Sequence, residues 1–240
     1  MILPAEAQKS LVAAVATVAT LSDTAVHRDE GQGARPTRRD EILRAAAQLF
    51  AERGFHGVGV DDIGAAAGIT GPGIYRHFES KDAILAEMLV RISERLLAGG
   101  QRRVEEANGD PLVALAGLIS WQTDFALSNP ALIVVQDRDL ANVAEPDRRR
   151  VRQLQRRYVE VWVDTLARLH RSADQAQIRA RAHALFGLIN STPHSAGELD
   201  AEGMSDILND MALAAATSTS GLQTSPLAAG DGSERSVPPG

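Results

Sequence analysis

Between residues 37 and 216 the apolar side chains return every three or four positions, and strict alternation is sustained nowhere. That period belongs to helices with one inward stripe, not to strands. Residues 37–53 open on Thr37, a capping residue type, with Asp40 and Glu41 in the first turn and Ile42, Ala46, Leu49 and Phe50 on one face. Short helices are expected near 60–67 and 71–78. A long one starts at Ser80 and Asp82 and runs to about 107, with a stripe of Ile84, Met88, Ile92 and Leu96.

Further helices are expected over 111–128, 131–140, 146–171 and 174–190, with a last one near 205–216. The first carries Leu115, Ile119, Gln122 and Phe125 on one side. The third turns Leu154, Tyr158, Val161, Trp162, Leu166 and Leu169 inward, and the fourth Ile178, Ala182, Leu185, Phe186 and Ile189. Asn129-Pro130 and Thr192-Pro193 punctuate them. The fold class expected is all-α. Its parts are an N-terminal three-helix domain over 36–82 and a larger helical domain over 83–216. Residues 1–35 read as a disordered or weakly helical extension, and 217–240, rich in Ser, Gly, Pro and Thr, as a disordered tail.

The most informative stretch is GITGPGIYRHFESK, residues 68–81. Gly68 follows a short helical pattern and suits the left-handed residue that closes a helix. Thr70 can cap the next helix through its hydroxyl, and Pro72 falls in the first turn, where its missing N–H costs nothing. Gly71 and Gly73 each cost up to about 1 kcal/mol relative to alanine, so this helix is weak by propensity. Glycines let a backbone approach a partner closely, and a helix N-terminus offers N–H groups to phosphates. Tyr75, Arg76 and His77 add a hydroxyl, a guanidinium and an imidazole. A turn with no partner is the plainer reading of GPG taken alone.

Its surroundings decide between the two. Residues 38–89 resemble the DNA-binding domain of the TetR family of bacterial transcriptional regulators over about fifty positions. Ile42, Ala45, Ala46, Leu49, Phe50, Gly54 and Phe55 carry the first part of the resemblance. Ile63, Ala67 and Gly68 carry the second, and Ile74, Tyr75, His77, Phe78, Lys81 and Leu85 the third. Two departures are mild: Gly59 stands where the family has Ser or Thr, and Gly71-Pro72 where it often has a basic residue and a glycine. The resemblance implies a helix-turn-helix domain followed by a helical ligand-binding and dimerisation domain. It implies double-stranded operator DNA, a second copy of the chain and a small hydrophobic ligand as partners. It also implies that Arg38, Thr70, Gly71, Pro72, Gly73, Tyr75, Arg76, His77 and Lys81 form the DNA-binding set. Thr70, Tyr75, His77 and Lys81 would hold phosphates, with Gly71, Gly73 and Arg76 nearest the bases. Arg38, with Arg35 and Arg39, could form a basic arm; such a run is more often only solvated.

Charge limits how that set can work. The chain carries a net charge of −6, and residues 38–82 hold six basic against seven acidic side chains. DNA contact must come from cations placed at helix ends, not from a basic domain. There is no cysteine, which excludes disulfides, thiol catalysis and cysteine-based metal sites. Residues 11–21 form an apolar run too short to span a bilayer. A non-exported extension is preferred to a signal peptide, and Val26 offers an alternative start. No membrane association and a cytoplasmic location are expected.

In the larger domain, Trp121, Phe125, Trp162 and Phe186 lie on three separate helices and are either core or the lining of a ligand cavity. Asn190 or Arg138 would supply a polar contact there, and His183 sits one turn before Phe186. Arg148, Arg149, Arg150, Arg152, Arg156 and Arg157 read as the wet face of a helix, with an acidic ligand or acyl-CoA phosphates as the alternative. No metal spacing is convincing, no cofactor is expected, and His194, Ser195 and Glu198 lack the setting of a catalytic triad. Segment 136–162 looks like actinobacterial family members linked to fatty-acid or sterol breakdown, which points to an acyl-CoA or lipid. A ligand-released repressor is the reading preferred, over a constitutive DNA-binding protein and over an all-helical enzyme.

Overall fold

The computed structural model describes residues 36–191 and 199–218. The expectations for residues 1–35, for Thr192-Pro193, for His194, Ser195 and Glu198, and for the tail beyond 218 lie outside that range. The described residues form helices α1 (Arg38–Arg53), α2 (Val60–Ala66), α3 (Gly71–Ile74), α4 (Lys81–Glu106), α5 (Pro111–Ser128), α6 (Pro130–Asp139), α7 (Asp147–Leu169), α8 (Gln175–Ile189) and α9 (Ala201–Thr217). A short 3-10 turn, Leu140–Asn142, follows α6. No described helix is long and apolar enough to cross a membrane.

Most starts follow from local chemistry. Thr37 and Asp40 form a reciprocal capping box on α1, Ser80 caps α4, Asp110 caps α5, and Asp174 and Gln177 form a second box on α8. Each satisfies N–H groups that the first turn leaves without partners. Gly68 has φ +69°, the left-handed closure expected of it.

Two bounds differ from the sequence reading. The α-helix at 71 ends at Ile74, and residues 75–77 are turn. There Arg76 N–H donates to Gly73 O and His77 N–H to Ile74 O, three residues back, so the chain winds tightly instead of extending the helix. The last helix starts at Ala201, four residues early, because the Asp200 carboxylate accepts from Gly203 N–H and opens it.

The core is continuous between the two domains. Ile42, Ala46 and Phe50 of α1 meet Ile63, Ile74 and Phe78, and the same buried cluster runs through Leu85, Leu89 and Leu115 to Trp162 and Leu166. At Gly99 a Cβ would overlap the Trp121 ring, so this position lets α4 and α5 approach closely. His170 is buried at the end of α7, its Nε2 bonded to Ala216 O at 2.6 Å, which ties α7 to the end of α9.

One buried carboxyl is costly. Burial pushes Asp124 up to about 6, against the pull of the Arg103 guanidinium and a hydrogen bond from Ser120. The raised value means the folded chain holds a proton that the unfolded chain has released. Stability from that proton is present below about pH 4 and is lost as pH rises through about 6. Asp124→Asn is therefore expected to stabilise the protein by about 1–3 kcal/mol at pH 7.5 and to change little at pH 4. Urea unfolding at the two pH values checks this; equal effects at both would contradict it.

Candidate nucleic-acid interface and ligand cavity

The turn between α2 and α3 is held by backbone packing. Gly64 of α2 lies against the backbone of Ile69, Thr70 and Gly71, and a Cβ there would meet Gly71 N at 3.0 Å. Ile74 and Phe78 then anchor the segment from below. Tyr75 is left 58 % exposed, Arg76 is exposed beside it, and His77 is half-buried. Thr70 and Pro72 are exposed and Gly73 is half-buried. This leaves a cation, a phenol and an imidazole on one projecting corner.

Three members of the expected set are placed differently. Gly71 is buried, and a Cβ there would overlap the Asp61 carboxylate, so it packs α3 on α2 and does not reach outward. The Lys81 ammonium turns inward. It donates to Phe55 O at 2.8 Å and Val58 O at 2.7 Å and lies over the Phe55 ring. These bonds close the exit of α1 and use two of the three donors of the Lys81 ammonium. Thr70 occupies the capping position of α3, but its hydroxyl makes no capping bond. Arg38 is exposed and donates to Ala67 O at 3.2 Å while pairing with Glu41 at 2.5 Å. Arg39 is the better-anchored neighbour. It pairs with Glu87, donates to His77 O and lies 4.1 Å over the Phe78 ring, tying α1 and α4 to the end of the projecting segment.

Behind this corner, α4, α5, α6, α7 and α8 surround a cavity of about 270 Å³. His183, Phe186 and Asn190 line it. Trp162 is fully buried and packs on Phe186 with ring centroids 4.9 Å apart and the planes tilted by 52°, so it backs the wall. The lining also includes residues that sequence reasoning did not put there: Ser93, Gln122, Asp137, Gln155 and Tyr158. Tyr158 O–H donates to Gln122 Oε1 at 3.0 Å, and Gln122 Nε2 donates to Asn190 Oδ1 at 2.9 Å. This chain joins α7, α5 and α8 across the cavity and holds three of its polar lining groups in place, beside the apolar Leu96, Val159 and Phe186. Partial desolvation raises Asp137 from its ordinary value.

Three expected lining residues lie elsewhere. Trp121 sits on the far side of α4, its indole N–H on Leu96 O at 3.3 Å and Arg103 over its ring. Phe125 faces a separate cleft near α1. Arg138 points at the DNA-binding domain and donates to Phe50 O and to Ala51 O at the C-terminal end of α1. The negative end of the α1 dipole suits a cation, and Phe50 O accepts the guanidinium in addition to the Gly54 N–H. Asp139, buried beside it, completes the clasp, and His56 reaches Asn142 at 3.0 Å. Among the described residues, no group of three or more His, Asp or Glu side chains is placed to hold a metal.

Comparison with known proteins fits this arrangement. A profile of bacterial regulatory proteins of the tetR family matches residues 42–88, and one of tetracyclin repressor-like C-terminal domains matches 108–216. The HTH-type transcriptional repressor KstR2 of Mycobacterium tuberculosis is 31 % identical over 139 residues, covering 58 % of this chain and 69 % of that one. The chain belongs to the TetR family. It is a DNA-binding transcriptional regulator by that membership.

Solved structures repeat the fold at lower identity. The ketosteroid transcriptional regulator KstR2 of M. tuberculosis superposes with a TM-score of 0.65 at 24 % identity, over 75 % of this chain and 95 % of that one. FadR from Bacillus subtilis in complex with stearoyl-CoA superposes at 0.55 and 18 % identity, over 73 % and 97 %.

Proposed function

We propose that this TetR-family chain is a homodimeric repressor released from a near-palindromic operator when an acyl thioester enters the α4–α8 cavity. The observation that carries the reading is the cavity's wall, which is shared with α6, the helix whose Arg138 holds the end of α1. A ligand against Gln136 and Asp137 of α6 is one residue from the contact that positions the DNA-reading unit. Release requires different ligand affinity in the two arrangements of that contact. The resemblance to a KstR2 repressor supports repression, and the fold shared with a stearoyl-CoA-bound regulator supports an acyl-CoA. About 270 Å³ takes the acyl portion and leaves the nucleotide portion outside.

In this reading the projecting segment enters the major groove, once from each subunit. Arg76 reads bases, while Tyr75, His77 and Thr70 hold phosphates. Arg76→Ala is expected to relax sequence preference, costing about 1–3 kcal/mol at one or two operator positions and little on unrelated DNA. Anisotropy on a set of single-base operator variants checks it, and an equal loss on every variant would contradict the assignment.

Arg138→Ala is expected to keep operator binding within a few-fold, but to blunt release by ligand. Phe50 O keeps its bond from the Gly54 N–H when the guanidinium is removed, and Ala51 O is only half-buried and can turn to water. Operator titrations with and without ligand separate the two effects. Unchanged release in Arg138→Ala would contradict a route through this contact.

The reading as a whole is tested by titrating the operator complex with acyl-CoAs of increasing length. Loss of DNA binding with at least one thioester, abolished by Tyr158→Phe with Asn190→Ala, supports it. Indifference to every acyl-CoA, with operator binding intact, would favour a constitutive DNA-binding protein.

A further inference from the structure

A second cleft, about 420 Å³, lies between the DNA-binding domain and the helical body. It shares no lining residue with the α4–α8 cavity. One wall is α1, with Leu43, Arg44 and Ala47; another is α4, with Met88, Ile92 and Arg95. Phe125 and the α5–α6 junction close the third side. The volume falls within the roughly 300–1,000 Å³ usual for small-molecule sites.

Its charge is one-sided. Three arginines line the cleft, Arg44, Arg91 and Arg95, and no carboxylate does. Several arginines elsewhere pair with carboxylates: Arg39 with Glu87, Arg138 with Asp139, Arg150 with Glu94 and Arg179 with Glu160. Arg91 is likewise committed, to Asp40 at 2.8 Å and Glu87 at 2.8 Å. Arg44 and Arg95 have no carboxylate partner among the described residues, although Arg95 lies 5.8 Å over the Trp121 ring. Two exposed guanidiniums at the mouth of an apolar cleft match one chemistry. An apolar tail fills the floor of Leu43, Met88, Ile92 and Phe125, and an anionic head meets the planar forks.

We infer that this cleft is a second ligand site, separate from the acyl-thioester cavity, and that it takes an amphiphilic carboxylate of fatty-acid type. The occupant lies between α1 and the α5–α6 junction, so it touches both the DNA-reading unit and the helical body. The inference stands on this cleft's own lining and does not depend on how the other cavity is filled.

The test uses the full-length protein and dodecanoate below its micelle concentration. Calorimetry is expected to show one dodecanoate per chain. Dodecanol, with the same tail and no charge, should bind at least about tenfold weaker, as the loss of a charge-assisted contact requires. Arg44→Gln with Arg95→Gln should weaken dodecanoate by a similar factor without changing the melting temperature. A diazirine analogue of dodecanoate locates the site independently. Crosslinks within residues 43–48 or 128–132 support the inference. Crosslinks confined to 155–159 or 183–190, equal binding of dodecanol, or no binding at all would overturn it. None of these results bears on operator release by acyl-CoA, so the two readings fail separately.

Discussion

Met211→Glu is expected to make the chain monomeric and to lower its operator affinity by about 10²–10⁴-fold. Ile207 and Met211 lie one turn apart on α9 and are 45 % and 52 % exposed, among the few large apolar side chains left outside. Beside them on α8, Ala180, His183, Ala184 and Gly187 are exposed, and nothing lies within 4 Å of a Cβ at Gly187. Two such helices from each of two copies would pack as a four-helix bundle with close backbones. A pair of linked readers gains affinity from the effective concentration of the second, which gives the size of the loss. A glutamate at the centre of that face must lose its water or keep the copies apart. Light scattering after size exclusion, followed by operator titration, checks both halves. A dimeric Met211→Glu with full operator affinity would place the subunit interface elsewhere.

The second large effect concerns stability. Trp162→Ala is expected to cost about 3–5 kcal/mol, the range for deleting a large aromatic from a core. Trp162 is fully buried, meets Tyr158 edge-on with centroids 6.3 Å apart and packs at a tilt on Phe186 at 4.9 Å. Its removal opens a void behind the α4–α8 cavity and frees the wall that Phe186 presents. The variant should therefore lose ligand selectivity as well as stability. Trp162→Phe, which keeps most of the apolar volume, should cost less than half as much. Urea unfolding of both variants checks the ratio, and a loss below about 1 kcal/mol for Trp162→Ala would show that this region collapses around the gap.

The helices were legible because each announces itself locally. Thr37 with Asp40, and Asp174 with Gln177, sit three apart at helix starts, and Gly68 stands where the chain needs a positive φ. The inward stripes of α4, α7 and α8 were legible from their period. That period did not say what each stripe faces. Ala182, Leu185 and Ile189 were open between a partner subunit and the protein's own interior, and they are buried within one chain. Phe186, on the same helix, is half-buried and turns to the cavity.

The site was harder to read for the same reason. Lys81 and Arg138 are long cations whose partners are backbone carbonyls of residues 23 to 88 positions away. No local pattern marks a carbonyl as free. Tyr158, Gln122 and Asn190 come from three helices, so their hydrogen-bonded chain exists only once α5, α7 and α8 are packed. The exposed residues Tyr75 and Arg76 were legible because Ile74 and Phe78, four apart, fix which way the segment faces.

Two copies of the corner bearing Tyr75 and Arg76 are expected to enter one stretch of duplex. Footprinting and analytical ultracentrifugation of the full chain, on DNA tiled across the sequence flanking its own gene, test this most directly. One protected near-palindrome is expected, with two chains bound per site and half-site centres about one helical turn or a small multiple of it apart. Uniform protection of every fragment, or a single chain saturating the site, would contradict it.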